Sequence, residues 1–197
     1  ELYSTMVNAA VAELRRMLLA EFAEEQESRI PWLTAEDVYD VSGPMDGSDL
    51  IGCADTGTGK TAAFLLPILN RMLKARATAP EERGFTRVLI LAPTRELCSQ
   101  IEDDVQGFTY HTDLTSIAVY GGTPMDPQER ALKSGVDIVA ATPGRLMDHM
   151  RNGAVKFDKL DTLVLDEADR MMDMGFWPDV RRIVSALPDT AARQTLL

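Results

Sequence analysis

From Asp49 onward the chain alternates short apolar runs with longer mixed stretches. The runs DLIGC, RVLILA, SIAVY, DIVAA and TLVLD are almost continuously apolar, the pattern of strands buried on both faces. Between them lie segments that read as helices: Thr61 to Lys74, Thr94 to Val105, Asp126 to Lys133, Gly144 to Arg151 and, after the last run, Trp177 to Ala186. Apolar strands alternating with helices predict a doubly wound α/β fold, a parallel sheet with helices on both faces. Such sheets bind ligands beyond the carboxyl ends of their strands, so the residues just after each run matter most.

The first part of the chain reads differently. Val7, Val11, Leu14 and Leu18 form a helical stripe with Glu13, Arg15 and Arg16 between them, which predicts an amphipathic helix. An acidic stretch from Glu21 to Glu27 follows, and Pro31, Gly43, Pro44 and Gly47 then break any long regular element. Residues 24–47 are expected to be mostly short helix and loop. The expected organisation is therefore a helical flank over 1–46 and one α/β lobe over 47–197.

Composition narrows the class. At 197 residues there is room for one domain with a full apolar core, and 45% hydrophobic with 26% charged residues is the balance of a folded soluble protein. No apolar run is long enough to span a bilayer and no secretory signal is legible, so a cytoplasmic setting without a membrane partner is expected. Cys53 and Cys98 stand far apart with no CxxC and no histidine cluster, which suggests two small buried thiols rather than a zinc site or a disulfide framework. The net charge is −11, and residues 1–40, with only Arg15, Arg16 and Arg29 as cations, are the more acidic part. A basic footprint is missing, so any contact with nucleic acid must rest on local geometry or on a partner lobe rather than on bulk charge.

Two motifs carry the chemistry. After the run ending at Cys53 comes ADTGTGKT, Ala54 to Thr61, opening directly onto a helix. Gly57 and Gly59 allow backbone N–H groups to face phosphate oxygens, with Ala54, Thr56 and Thr58 in the same loop. Lys60 can reach the β and γ phosphates, and Thr61 can ligate magnesium at a helix N-terminus. The strand TLVL ends in Asp166-Glu167-Ala168-Asp169. Asp166 would hold the metal, and Glu167 would orient and deprotonate an attacking water. Taken alone, these acids could instead be an acidic helix cap.

With PTRELCSQ at Pro93 to Gln100, Gly121-Gly122, TPGR at Thr142 to Arg145 and VLDEADRMMDMGF at Val164 to Phe176, the phosphate loop completes a set of motifs. Over residues 47–197 this order resembles the first, RecA-like lobe of DEAD-box ATP-dependent RNA helicases. The resemblance implies ATP and Mg²⁺ as cofactors, single-stranded or duplex RNA bound through its backbone, and a second helicase lobe as partner. It assigns RNA backbone contacts to Pro93, Thr94, Arg95, Gly121, Gly122, Thr142, Gly144 and Arg145. A physical reading of these positions agrees: Thr94 and Pro143 stand where helices begin, so free N–H groups can meet phosphates without adding net positive charge. Arg95 could instead pair with Glu96, and Gly121-Gly122 could be a plain turn. Met171, Met172, Met174 and Phe176 read as packing residues.

Two departures from the family stand out. Its adenine-reading segment P-T-x-x-Q has no match upstream of the phosphate loop; ungapped counting puts Asp37 where the glutamine belongs, within LTAED, and Gln26 lies too far upstream. Adenine selectivity is thereby in question. The last residues, RQTLL, fall just before the place where the family carries S-A-T, and a second lobe follows in full-length members. Weak nucleotide binding and no unwinding are expected of this chain by itself. A lobe that binds nucleotide or a partner without turnover, and a phosphate-loop ATPase acting on protein or DNA, are the rival readings.

Overall fold

The computed structural model describes residues 32–33, 49–52, 59–78, 84–188 and 193–197. The amphipathic helix expected at residues 7–18, Asp37, Cys53 and the loop residues Ala54, Thr56, Gly57 and Thr58 lie outside the described residues.

Seven strands and six helices are described. In chain order they are β1 (Trp32–Leu33), β2 (Ile51–Gly52), α1 (Lys60–Thr78), β3 (Val88–Leu91), α2 (Arg95–Thr109), β4 (Ser116–Val119), α3 (Met125–Ser134), β5 (Ile138–Ala141), α4 (Pro143–Arg151), β6 (Thr162–Leu165), α5 (Ala168–Asp173), α6 (Trp177–Ser185) and β7 (Gln194–Leu196). Five strands form one parallel sheet in the order β4-β5-β3-β6-β7. Beside β7, the Leu50 N–H donates to the Thr195 carbonyl at 3.0 Å and the Leu197 N–H to the Leu50 carbonyl at 2.9 Å, which brings β2 alongside, with β1 parallel to it.

Alternation along the strands builds two cores. Leu89, Leu91, Val139, Leu163 and Leu165 face one way, against Leu132, Leu146, Met171, Val180 and Ile183 of α3, α4, α5 and α6. Val88, Ile90, Ile138, Ala140 and Val164 face the other, against Leu65, Ile68, Met72, Cys98, Ile101 and Val105 of α1 and α2. Each fully buried leucine or isoleucine contributes about 1.5–3 kcal/mol, so a sheet covered on both sides is the arrangement these apolar runs favour. No helix among the described residues is long and apolar enough to cross a membrane.

The strands and helices expected from Asp49 onward appear, with adjustments that have local causes. Helix α1 runs four residues past Lys74 because Arg76 is anchored to Asp137 and, at 3.4 Å, to Asp113. Strand β7 was not anticipated. Its Gln194 and Thr195 are polar but buried, held by Arg71 Nη1 to Gln194 Oε1 at 2.7 Å and by the Thr195 N–H to Asp49 Oδ1 at 2.6 Å. Nor was β1, which falls within the segment expected to be helix and loop and is too short to show a period. Met171 is fully buried, and Met172 and Phe176 pack against the core as expected. Met174 does not; as the C-cap of α5 it follows the last helical turn and is 47% exposed. Cys98 is buried as expected. At the outer strand, Glu102 Oε2 accepts the Ala118 N–H at 2.8 Å.

Candidate functional site

Register places the candidate residues together. Val119 pairs with Ala141, Ala141 with Leu91 and Leu91 with Leu165, so β4, β5, β3 and β6 end on one line. The chain leaves that line at Tyr120, Thr142, Ala92 and Asp166. Backbone bonds tie the exits to one another: Thr142 N–H to Val119 at 3.0 Å, Ala92 N–H to Ala141 at 3.0 Å and Asp166 N–H to Leu91 at 2.9 Å. Residues far apart in sequence thus share one edge of the sheet.

At the β6 end, the Lys60 ammonium lies 2.5 Å from Asp166 Oδ1. Asp166 is 4% exposed, whereas Lys60 is only partly covered. Two residues expected to serve phosphate and metal therefore meet, although 106 positions separate them. Gly59, at φ 89°, precedes Lys60, and its carbonyl accepts the Ala63 N–H at 2.9 Å as α1 begins. Thr61 follows in the first turn.

Glu167 has φ 51° and ψ 49°, the left-handed conformation that costs a residue with a side chain about 1–2 kcal/mol. It caps α5, and Arg170 Nη1 holds its Oε2 at 3.0 Å. Helix α5, the helix that the acidic-cap reading of these residues implied, is what carries Arg170 back to Glu167. Burial, with the Asp166 carboxylate second, pushes the Cys98 thiol up to about 12, so this neighbour of the site stays protonated and inert.

The donor set fits Mg²⁺ with a triphosphate. No group of three or more His, Cys, Asp or Glu that could cage a metal occurs among the described residues. Mg²⁺ usually takes one or two protein oxygens and completes its shell with phosphates and water, which is what a buried aspartate opposite the Lys60-Thr61 helix start offers.

Along β3, β5 and β4 lie the remaining residues. Pro93 is buried, and Thr94 caps α2 by accepting the Leu97 N–H at 3.2 Å. Arg95 is exposed, with its Nε 2.6 Å from Glu96 Oε1. Hydrogen bonding to Arg95 holds the Glu96 carboxyl below the usual range. The Arg95 guanidinium also reaches the glycine pair: a Cβ on Gly122, at φ 86°, would stand 3.5 Å from Nη1. Gly121 and Gly122 are both exposed. Thr142 is the N-cap of α4 and makes no side-chain cap bond, Pro143 is its first residue, and Gly144 has open space where a side chain would stand. Arg145 Nη1 donates to the Thr123 carbonyl at 3.1 Å, joining α4 to the glycine loop.

Sequence reasoning did not single out Gln128 or His149. Gln128 is buried and bonded to Tyr120, Thr123 and His149, with Arg145 Nη1 at 3.5 Å. The spacing of Arg145 and His149, four residues apart in α4, puts both on one helix face and was the available signal.

A family model described as "DEAD/DEAH box helicase" matches residues 36–197. The chain is 43% identical over 170 residues to a protein of Oryza sativa subsp. japonica named DEAD-box ATP-dependent RNA helicase 52A, covering 81% of this chain and 28% of that one. It is also 43% identical over 173 residues to ATP-dependent RNA helicase RhlB of Pseudomonas syringae pv. tomato, covering 87% and 44%. The crystal structure of the yeast DEAD-box splicing factor Prp28 matches with a TM-score of 0.65 and 39% identity, over 75% of this chain and 35% of that one. The chain thus spans less than half the length of these relatives.

Proposed function

Because the chain belongs to the DEAD/DEAH box helicase family, we propose that it works as the first motor lobe of an ATP-dependent RNA helicase, with residues 47–197 as the RecA-like lobe and 1–46 as its flank. The observation that most supports this reading is the contact of Lys60 with Asp166 on the same sheet edge as the Thr94, Gly121-Gly122 and Thr142 loops.

In this reading the loop Ala54, Thr56, Gly57, Thr58, Gly59 and Lys60 wraps the phosphates of ATP, and Lys60 exchanges Asp166 for the β and γ phosphates. Asp166 and Thr61 would hold Mg²⁺, which neutralises phosphate charge when bound. Glu167 takes one proton from the water that attacks the γ phosphorus, as the bond from that phosphorus to the bridging oxygen breaks and ADP departs. Pro93, Thr94, Arg95, Gly121, Gly122, Thr142, Gly144 and Arg145 hold the RNA backbone. Helix starts at Thr94 and Pro143 supply N–H groups to phosphates without requiring a basic surface. A second lobe, as in longer family members, would complete the RNA path.

Single-turnover hydrolysis of ATP with single-stranded RNA, with DNA and with neither tests the assignment. Slow, residual Mg²⁺-dependent hydrolysis, raised by RNA and not by DNA, is expected of this lobe by itself. Equal stimulation by DNA, or no binding of Mg-ATP, would overturn it.

Asp37 lies inside the family match and at the ungapped position of the adenine-reading glutamine. An ionised aspartate accepts hydrogen bonds but donates none, so it can take one from adenine N6 yet offers nothing to N7. One missing bond is worth ~1–3 kcal/mol, or about tenfold in affinity ratio. We therefore expect poor discrimination between ATP and GTP, with Asp37→Gln shifting the ratio toward ATP. Titration of both proteins with both nucleotides checks this, and an unchanged ratio means that Asp37 does not face the base.

A further inference from the structure

The Gly121-Gly122 loop is held from both sides by one buried amide. Gln128 Nε2 donates to the Tyr120 carbonyl at 3.1 Å, just before the glycines, and to Thr123 Oγ1 at 2.6 Å, just after them. The Thr123 hydroxyl in turn donates to the Tyr120 carbonyl at 3.2 Å. On the other end of the amide, Gln128 Oε1 meets His149 Nε2 at 3.2 Å and lies 3.5 Å from Arg145 Nη1. Gln128 is 6% exposed and His149 is fully buried.

This arrangement fixes the amide's direction and the imidazole's tautomer. With Nε2 of Gln128 donating twice, its Oε1 must accept, so His149 carries its proton on Nε2. Its Nδ1 is then a bare lone pair, consistent with the absence of any partner for that atom among the described residues. Protonation would put a second N–H into that partnerless pocket. Burial, with the Arg145 charge second, depresses the His149 pKa, outweighing Glu129 and Asp148, which act in the opposite sense.

Two consecutive glycines are the costliest residues to hold in one conformation, since they have the most backbone freedom to lose. Tyr120 and Thr123 are the hinges of that pair, and the same amide touches both while its oxygen faces Arg145. We propose that Gln128, oriented by His149, is a positioning residue for the RNA backbone site: it presets the glycine loop and its spacing from the α4 start. The inference rests on the reading of these loops as RNA contacts.

The test measures the affinity of the chain for a short single-stranded oligouridylate, its affinity for Mg-ATP and its thermal midpoint. Gln128→Met keeps size and charge but removes both donors. We expect RNA affinity to fall about fivefold, as for roughly one lost hydrogen bond, with Mg-ATP affinity unchanged. His149→Leu should reproduce that loss, whereas His149→Gln, which keeps a donor, should largely restore parent binding. A purely structural role would lower the midpoint and both affinities together, and would not be rescued by a donor. Should Gln128→Met fail to fold, Gln128→Asn, whose amide is one methylene too short to reach both Tyr120 and Thr123, is read in its place, with the same loss expected. RNA binding at the parent level by a folded Gln128 variant overturns the inference alone. Absence of RNA binding by the parent overturns the RNA reading itself, and the inference with it.

Discussion

Glu167→Gln is expected to leave Mg-ATP affinity unchanged while lowering single-turnover hydrolysis by about 10²–10⁴-fold, the usual contribution of a general base. Glutamine preserves shape and backbone, so the left-handed turn at φ 51° and the start of α5 should persist, but an amide cannot take the proton of water. Lys60→Ala should act at the earlier stage. It removes a charge-assisted phosphate contact, worth about 1.5–3 kcal/mol or roughly 10- to 100-fold in affinity, and leaves the buried Asp166 without its cation. Binding measured with a fluorescent nucleotide, beside single-turnover rates, separates the two. If Glu167→Gln hydrolyses ATP at the parent rate, another group must take the proton.

The second large effect concerns stability. Gly135 ends α3 at φ 81° and ψ 76°, its N–H bonded to the Leu132 carbonyl. A Cβ built there would overlap the carbonyl of Gly84, far inside van der Waals contact and against backbone rather than a mobile side chain. Gly135→Ala therefore combines left-handed strain of about 1–2 kcal/mol with overpacking of about 1–3 kcal/mol. A destabilisation of about 2–5 kcal/mol is expected, lowering the melting midpoint by roughly 5–15 °C. Gly144→Ala is the control, because no described residue stands within 4 Å of the Cβ added there. Equal midpoints for the two variants would mean that the Gly84 segment yields to the added methyl.

Much of the fold was legible because burial on both faces leaves a direct mark on sequence. Strands such as Val88–Leu91 and Ile138–Ala141 are apolar at every position, and a phosphate loop opening onto a helix needs no tertiary information. What escaped notice was held by polar contacts between distant residues. Strand β7 reads as polar until Arg71 and Asp49 are placed beside it, and Arg76 prolongs α1 through acids 37 and 61 positions away. The same holds at the sites. Motif order could bring Lys60 and Asp166 to one edge, but the Gln128 amide joins residues with no common period and no shared motif. Arg95 was left open between phosphate and Glu96, and the two are indeed paired. Both side chains of that pair are mostly exposed, and an exposed ion pair holds a side chain only weakly against a competing anion.

Glu102 closes a different kind of vulnerability. Among the described residues β4 pairs only with β5, so its far side presents unpaired backbone of the sort that recruits another chain. Taking the Ala118 N–H, the Glu102 carboxylate occupies the donor in the middle of that strand and sets a negative charge beside it. An incoming strand would have to displace this bond and bury the charge in order to pair along the whole of β4. Pairing of a further strand at this edge is therefore opposed by a side chain of α2.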